Sequence, residues 1–120
     1  MPLITVISNV AANIFPSNFN MRFAQLMADM LGKPANRVVL LVTPGAQLTH
    51  GITQDPSCLI VAKAIDSFSA EKNKVYSSLI SEFMKKELDI DPSHCIIHFQ
   101  NLDAGNVGCC STTMQELLKK

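Results

Sequence analysis

The chain repeats one order of elements twice: an apolar strand, an amphipathic helix and a second apolar strand. In the first half, aliphatic and β-branched residues predict strands over Leu3–Ser8 and Arg37–Thr43. In the second half, Cys58–Ile65 and His94–Gln100 have the same character. A strand–helix–strand unit joins two parallel strands by a right-handed crossover. Two such units constrain the chain to an α/β fold built from two βαβ pseudo-repeats.

Apolar residues at helical spacing indicate the two helices between these strands. The first helix begins at Ser17 or Asn18 and runs to about Leu31, where Gly32 ends it. Ser69 caps the second helix. The spacing predicts that the buried stripe of this second helix contains Val75, Leu79, Phe83 and Leu88.

These elements predict a four-stranded mixed sheet with two helices on one face, in a single domain spanning residues 1–120. The strands are apolar on both sides, and the chain has no further element to cover the second face. Charged residues make up 17% of the chain, against a usual value of about 25%. Both observations predict that sister subunits cover this face in a homo-oligomer.

The loops and the tail have less regular patterns. Residues Thr43–Pro56 and Leu102–Thr113 are rich in glycine or polar side chains, and a short strand or hairpin fits within them. The tail Met114–Lys120 is predicted to form a frayed helical turn.

Charge and hydropathy exclude several classes of protein. Ten basic and ten acidic residues give a net charge of zero, which argues against a nucleic-acid binder and a polybasic membrane-surface protein. No stretch offers the roughly 18 uninterrupted apolar residues of a membrane span. The N-terminus lacks the positive region of a secretory signal peptide, so the default compartment is the cytosol.

Neither the cysteines nor the histidines follow a metal-binding pattern. None of the four cysteines is in a C-x-x-C motif, and the adjacent Cys109 and Cys110 cannot easily bridge in ordinary backbone geometry. No metal-ligand spacing links the three histidines. His50, in a turn, is expected to be solvated. His98 alternates with its apolar neighbours in the last strand and is expected to face the other side of the sheet. No metal and no cofactor is predicted.

Pro2 carries the most distinctive chemistry. Removal of Met1 would leave a free secondary amine, with an ordinary α-amino pKa of about 8. Burial and a nearby cation would both disfavour its protonated form, which suits a general base. Lys33, in the turn after the first helix, is the available cation. Considered alone, Met-Pro is also a common beginning of a protein chain. Lys33 could equally be a solvated lysine whose charge complements the C-terminal end of the first helix.

Four short motifs occur in the order and spacing of a known family. They are P-L-I-T-V-I-S-N-V at the start, G-K-P at Gly32–Pro34, D-P at Asp55–Pro56 and N-V-G at Asn106–Gly108. The chain resembles the macrophage migration inhibitory factor family of the tautomerase superfamily, and most of all its roundworm members. The resemblance runs nearly ungapped over almost all 120 residues.

This resemblance implies a homotrimer whose sheets enclose a central barrel. It implies keto–enol tautomerase activity, without a cofactor, toward small aromatic α-keto acids such as phenylpyruvate and toward dopachrome-like compounds. It further implies a cytokine-like role with a cell-surface receptor. Because family members are exported without a classical signal peptide, secretion by a non-classical route is expected beside a cytoplasmic pool.

The resemblance also implies roles for individual residues. Pro2 matches the catalytic N-terminal proline, Lys33 the substrate-binding lysine, and Ile65 a residue that offers its backbone N–H to substrate. His98 falls where most vertebrate members have an asparagine contributed by a neighbouring subunit. By the same match, Val107 and Met114 fall on the wall of the family's pocket.

Three positions depart from the family pattern. Ile96, Cys109 and Met114 each replace an aromatic residue, which weakens stacking on an aromatic substrate. The C-x-x-C of some members is absent, which disfavours thiol–oxidoreductase activity. Three classes therefore stay open: a tautomerase, a secreted cytokine-like receptor ligand with weak or vestigial tautomerase activity, and a plain trimeric module.

Overall fold

The computed structural model describes residues 1–119, and Lys120 lies outside the described residues. The four long strands are β1 (Leu3–Ser8), β2 (Val39–Thr43), β3 (Cys58–Ile65) and β4 (Cys95–Leu102). The helices are α1 (Phe19–Leu31), α2 (Ala70–Leu88) and the short α3 (Met114–Leu117), which follows the hairpin of β5 (Gly108–Cys109) and β6 (Thr112–Thr113). The predicted hairpin and helical turn near the C-terminus are therefore present.

The four long strands form one mixed sheet in the order β2-β1-β3-β4. Within each half the two strands are parallel, as the βαβ pseudo-repeats predict. Between the halves, β1 pairs with β3 in antiparallel orientation. The predicted fold class is confirmed. The two halves meet along β1 and β3, which are the interior strands of the sheet.

The bounds of the helices follow from local chemistry. Gly32 has a φ of 66°, a left-handed conformation that ends α1. The Ser69 hydroxyl accepts a hydrogen bond from the Lys72 N–H at 3.2 Å, which confirms the predicted cap of α2. Asn18 precedes α1, but its side chain makes no cap hydrogen bond. Strand β2 begins at Val39, because Ala35–Arg37 forms a 3₁₀ turn.

Both long helices pack on one face of the sheet and enclose the main core. Ile4, Val6 and Ile60 point into this core from the strands and are almost completely buried. The rings of Phe19, Phe23 and Phe83 lie 5.2–5.9 Å apart between the two helices, a favourable spacing for aromatic contacts.

The predicted buried stripe of α2 is partly wrong. Val75 and Leu79 are exposed, and the residues of α2 that are buried are Ile80, Met84 and Leu88. Both sets have helical spacing. The helix therefore has two apolar stripes, and the packing against the sheet decides which of them is buried.

The opposite face of the sheet, called here the open face, remains apolar and exposed. Its members alternate with the core residues along each strand. Exposed fractions reach 62% at Leu41, 54% at Val39, 47% at Ile96 and 40% at Leu59. In register, Leu59 lies between Ile7 and Ile96, so the apolar surface is continuous across β1, β3 and β4. The prediction of an uncovered face is confirmed for the part of the sheet that contains these residues.

The C-terminal segment covers one end of the open face. Here a second apolar cluster, called the terminal cluster, contains Ile65, Val107 and Met114 as buried members, with Met1 and Cys109 among the residues packed against them. Ile65 is on the same side of β3 as Leu59, yet it is buried because this segment folds back over it. Within residues 1–119, no helix has the length and hydropathy needed to cross a bilayer.

Candidate functional site

The N-terminus enters the sheet at its centre. Pro2 is fully buried, and its carbonyl accepts a hydrogen bond from the Val39 N–H at 2.9 Å. The register of β1 with β3 pairs Leu3 with Lys63. Continued by two residues, it brings Met1 opposite Ile65. The first residues are thus held between two neighbouring strands rather than left as a free tail.

Four of the residues singled out from the sequence come together around this terminus. Ile65, Val107 and Met114 are members of the terminal cluster, against which Met1 packs. The Met114 N–H donates to the Val107 carbonyl at 2.8 Å, which ties α3 to the chain before β5. Pro2, adjacent to Met1, therefore lies at the edge of an apolar wall formed by residues distant in sequence.

Two cations lie near the terminal amine. Loss of hydration on burial, followed by the charges of Lys33 and Arg37, lowers the pKa of the Met1 amine below its ordinary value. Cys109 acts in the opposite direction, with a smaller effect. Lys33 reaches this place because α1 ends at Gly32, after which the Lys33 N–H donates to the Ala28 carbonyl at 2.9 Å. The surroundings therefore favour a neutral amine.

Sequence reasoning missed Arg37, which it placed inside a strand. The residue lies in the 3₁₀ turn immediately before β2. Because β1 and β2 are parallel, the residues that precede them lie at the same end of the sheet. This parallel pairing, already predicted from the βαβ order, is the signal that would have placed Arg37 beside the N-terminus.

His98 does not join this group within one chain. It is exposed on the open face, as predicted, in register with Val61, which is itself opposite Thr5. Two strand spacings and three residues separate it from Pro2, which amounts to roughly 14 Å. A role for His98 beside Pro2 would need a second protomer.

The other two histidines lie at the opposite end of the sheet. The rings of His50 and His94 are 4.7 Å apart in an edge-on arrangement, and His94 Nδ1 is 3.2 Å from the Ser57 hydroxyl. His50 is half-buried; the expectation of a solvated side chain is wrong because His94 packs against it. Among residues 1–119, no three His, Cys, Asp or Glu side chains gather closely enough to hold a metal ion.

The arrangement around the N-terminus suits proton transfer. A neutral amine accepts a proton, cations beside it stabilise a carboxylate or an enolate, and the terminal cluster supplies an apolar wall. In the full chain the Pro2 nitrogen is part of the Met1–Pro2 amide and is not basic. Removal of Met1 is therefore the step that would create the base.

Comparison with known proteins gives one consistent family. The family model described as macrophage migration inhibitory factor (MIF) matches residues 1–115. The chain is 37% identical over 120 residues to MIF-like protein mif-2 of Caenorhabditis elegans, with 100% of both chains covered. It is 30% identical over 113 residues to macrophage migration inhibitory factor of Rattus norvegicus, covering 94% of this chain and 98% of that protein.

Solved structures agree with the fold. The macrophage migration inhibitory factor of Trichinella spiralis has a TM-score of 0.89 at 26% identity, covering 92% of this chain and 98% of that one. The homologue from Prochlorococcus marinus has a TM-score of 0.84 at 23% identity, and the match covers 93% of this chain and 98% of that one. At this identity it supports the fold alone.

Proposed function

Because this chain belongs to the macrophage migration inhibitory factor family, we propose that it is a keto–enol tautomerase whose base is the Pro2 amine. Membership in this family supports an isomerase of the tautomerase kind. The finer proposal concerns substrate and mechanism: a small aromatic α-keto acid of the phenylpyruvate type, or a dopachrome-like compound, is isomerised by proton transfer. No cofactor takes part in it.

The buried position of Pro2, next to an amine whose pKa burial and the charges of Lys33 and Arg37 lower, is the observation that carries this proposal. Burial and these charges act at Met1. Pro2 is more buried than Met1 and adjoins it, so the same causes apply once Met1 is removed. The resulting secondary amine would be neutral at a lower pH than an ordinary terminal amine.

The reaction is a proton shift without net oxidation. The Pro2 nitrogen accepts a proton from the carbon beside the keto group, and negative charge develops on the carbonyl oxygen. Lys33 and Arg37 stabilise the substrate carboxylate or this oxygen. The protonated amine then returns the proton to the oxygen, which gives the enol; the reverse path gives the ketone. Val107 and Met114 hold the apolar part of the substrate, and the Ile65 N–H orients it.

We propose that the active form is a homotrimer. The open face supports this, because an apolar surface spanning four strands favours burial against another copy. The role proposed for His98 at the pocket requires it as well, because roughly 14 Å separates His98 from Pro2 within one chain. In this assembly the open faces line the central barrel.

The test begins with the mature N-terminus, determined by mass spectrometry. Steady-state tautomerisation of phenylpyruvate is then measured for the natural chain and for Pro2→Gly. Loss of the proline base is expected to lower turnover about 10²–10⁴-fold. Pro56→Gly, the same substitution in an exposed loop, is the matched control. Full activity of Pro2→Gly, or of a chain that retains Met1, would contradict the proposal.

A second candidate function is a secreted, cytokine-like receptor ligand exported by a non-classical route. The signalling part of this candidate is favoured by the name of the similar protein from Rattus norvegicus, macrophage migration inhibitory factor. Receptor binding by Pro2→Gly separates the two functions: binding without turnover would show that signalling does not require catalysis.

A further inference from the structure

Two adjacent free thiols, Cys109 and Cys110, lie in contact beside the N-terminus. Their Sγ atoms are 3.2 Å apart. Cys110 is exposed, whereas Cys109 is half-buried and packs on the terminal cluster together with Met1. Solvent therefore reaches the pair from one side, and on the other side the pair borders the residues around the N-terminus.

The hairpin holds this pair in an unusual backbone conformation. Cys109 pairs with Thr112, so Cys110 and Ser111 form the loop, with φ values of 56° and 65°. Two-residue hairpin loops with positive φ at both positions favour asparagine and glycine, and other residues are strained there. The chain nevertheless has a cysteine at the first loop position, where its thiol contacts that of Cys109.

A disulfide between Cys109 and Cys110 would be strained. The peptide bond between the two cysteines is trans, which fixes their Cα atoms about 3.8 Å apart. Disulfides usually need about 4.4–6.8 Å. A strained disulfide is readily reduced, so the two thiols stay reduced and available. One soft atom placed between the sulfur atoms avoids this strain, because the sulfur atoms need not bond to each other.

We propose that Cys109 and Cys110 form a dithiol site for a trivalent arsenical of the type R–As(OH)₂. Two As–S bonds form and two As–O bonds break; both thiol protons leave with the hydroxyl groups as two water molecules, and no atom changes oxidation state. The group R occupies the third position of arsenic, so two protein ligands are sufficient. A tetrahedral zinc site needs more ligands, and no group of three gathers within residues 1–119.

The surrounding charges connect this site to the N-terminus. The hydrogen bond with Cys110 raises the pKa of Cys109, while Arg37 and the terminal amine act in the opposite direction. An adduct would remove that hydrogen bond and place a bulky group against the terminal cluster, which adjoins Pro2 once Met1 is removed. If the proposed tautomerase function holds, on which this second step rests, the adduct also blocks turnover.

The test uses the reduced full chain, phenylarsine oxide as the probe and intact-protein mass spectrometry as the readout. One adduct per chain is expected, reversed by 2,3-dimercaptopropanol but not by a monothiol. Cys110→Ser should weaken binding at least about 100-fold, since chelation is lost. Cys95→Ala is the matched control: Cys95 and Cys58 are register neighbours but buried, and binding should persist in this variant.

Three results would overturn the dithiol site. The first is an adduct that forms as tightly in Cys110→Ser as in the natural chain. The second is loss of the adduct in Cys95→Ala when the melting curve of that variant shows a folded chain, and the third is air oxidation of Cys109 and Cys110 to a disulfide that does not bind the probe. Activity is measured on the same samples. An adduct with full turnover overturns only the blocking step. If mass spectrometry shows that the chain begins at Pro2, absence of turnover without the probe overturns the proposed function, and binding of the probe is still decided by mass.

Discussion

The two faces of the sheet have similar side chains but different surroundings. On the helix face, Ile4, Val6 and Ile60 are buried; on the open face, Leu41 and Leu59 remain exposed. Hydrophobicity does not distinguish these sets, since both are aliphatic. The difference arises from alternation along the strands and from both long helices packing on one side. An apolar face without a partner in its own chain indicates a surface that another molecule completes.

A charge on the open face tests this comparison most strongly. Leu59→Asp would place a carboxylate on the open face, within the proposed subunit interface, where burial of an unpaired charge costs several kcal/mol per protomer. The expected result is a change in mass from three chains to one, measured by light scattering. Val75→Asp, at an exposed position on α2, should leave the mass unchanged. A three-chain mass for Leu59→Asp would show that other subunits do not cover this face.

A cavity on the helix face should reduce stability instead of assembly. Phe23→Ala removes a buried ring packed against Phe19 and Phe83, which should lower the free energy of unfolding by about 3–5 kcal/mol. Urea denaturation at fixed protein concentration measures this loss. Met21→Ala, on the exposed side of the same helix, should change it by less than about 0.5 kcal/mol. Equal losses in both variants would contradict the assignment of faces.

Lys33→Met tests the site at the end of the sheet rather than either face. Loss of this cation should reduce kcat/KM about 10–100-fold, since a charged interaction with the substrate disappears. It also removes one cause of the lowered amine pKa, so the acid limb of the pH–kcat/KM profile should move to higher pH. Lys86→Met, on the exposed surface of α2, should change neither quantity. A lower rate with an unmoved acid limb would restrict Lys33 to substrate binding.

The smallest change in unfolding free energy is expected at the N-terminal ends of the two long helices, α1 and α2. Ser69→Ala removes the side-chain cap of α2 and should cost about 1 kcal/mol of unfolding free energy. Asn18→Ala precedes α1, where no cap hydrogen bond exists, and should cost much less. Thermal unfolding compares the two, and equal losses would argue against capping as the cause.

The sequence predicted the strands well because their signals are local. The bounds of β1 and β3 match the aliphatic runs, and Gly32 and Ser69 mark helix ends through their own conformation or side chain. The buried stripe of α2 was mispredicted because Val75 and Leu79 repeat as regularly as Ile80 and Met84. Periodicity gives the spacing of a stripe, but its direction depends on tertiary packing.

The candidate site was only partly predictable for a related reason. The family resemblance supplied Pro2, Lys33, Ile65, Val107 and Met114, and the fold gathers the last three around Met1. Arg37 requires the position of one strand relative to another, and the contact of Cys109 with Cys110 requires positive φ values in a hairpin loop. The first follows only when the predicted parallel pairing is applied to the residues before each strand, and the second does not follow from residue types along the chain.

The central position of β1 has a practical consequence for recombinant work. Residues fused before Met1 would emerge between β2 and β3, against the terminal cluster, and would keep the proline nitrogen in an amide. An affinity tag at that end would therefore suppress the chemistry it was meant to help measure. Purification through the other terminus, or a protease that leaves proline as the first residue, avoids this artefact.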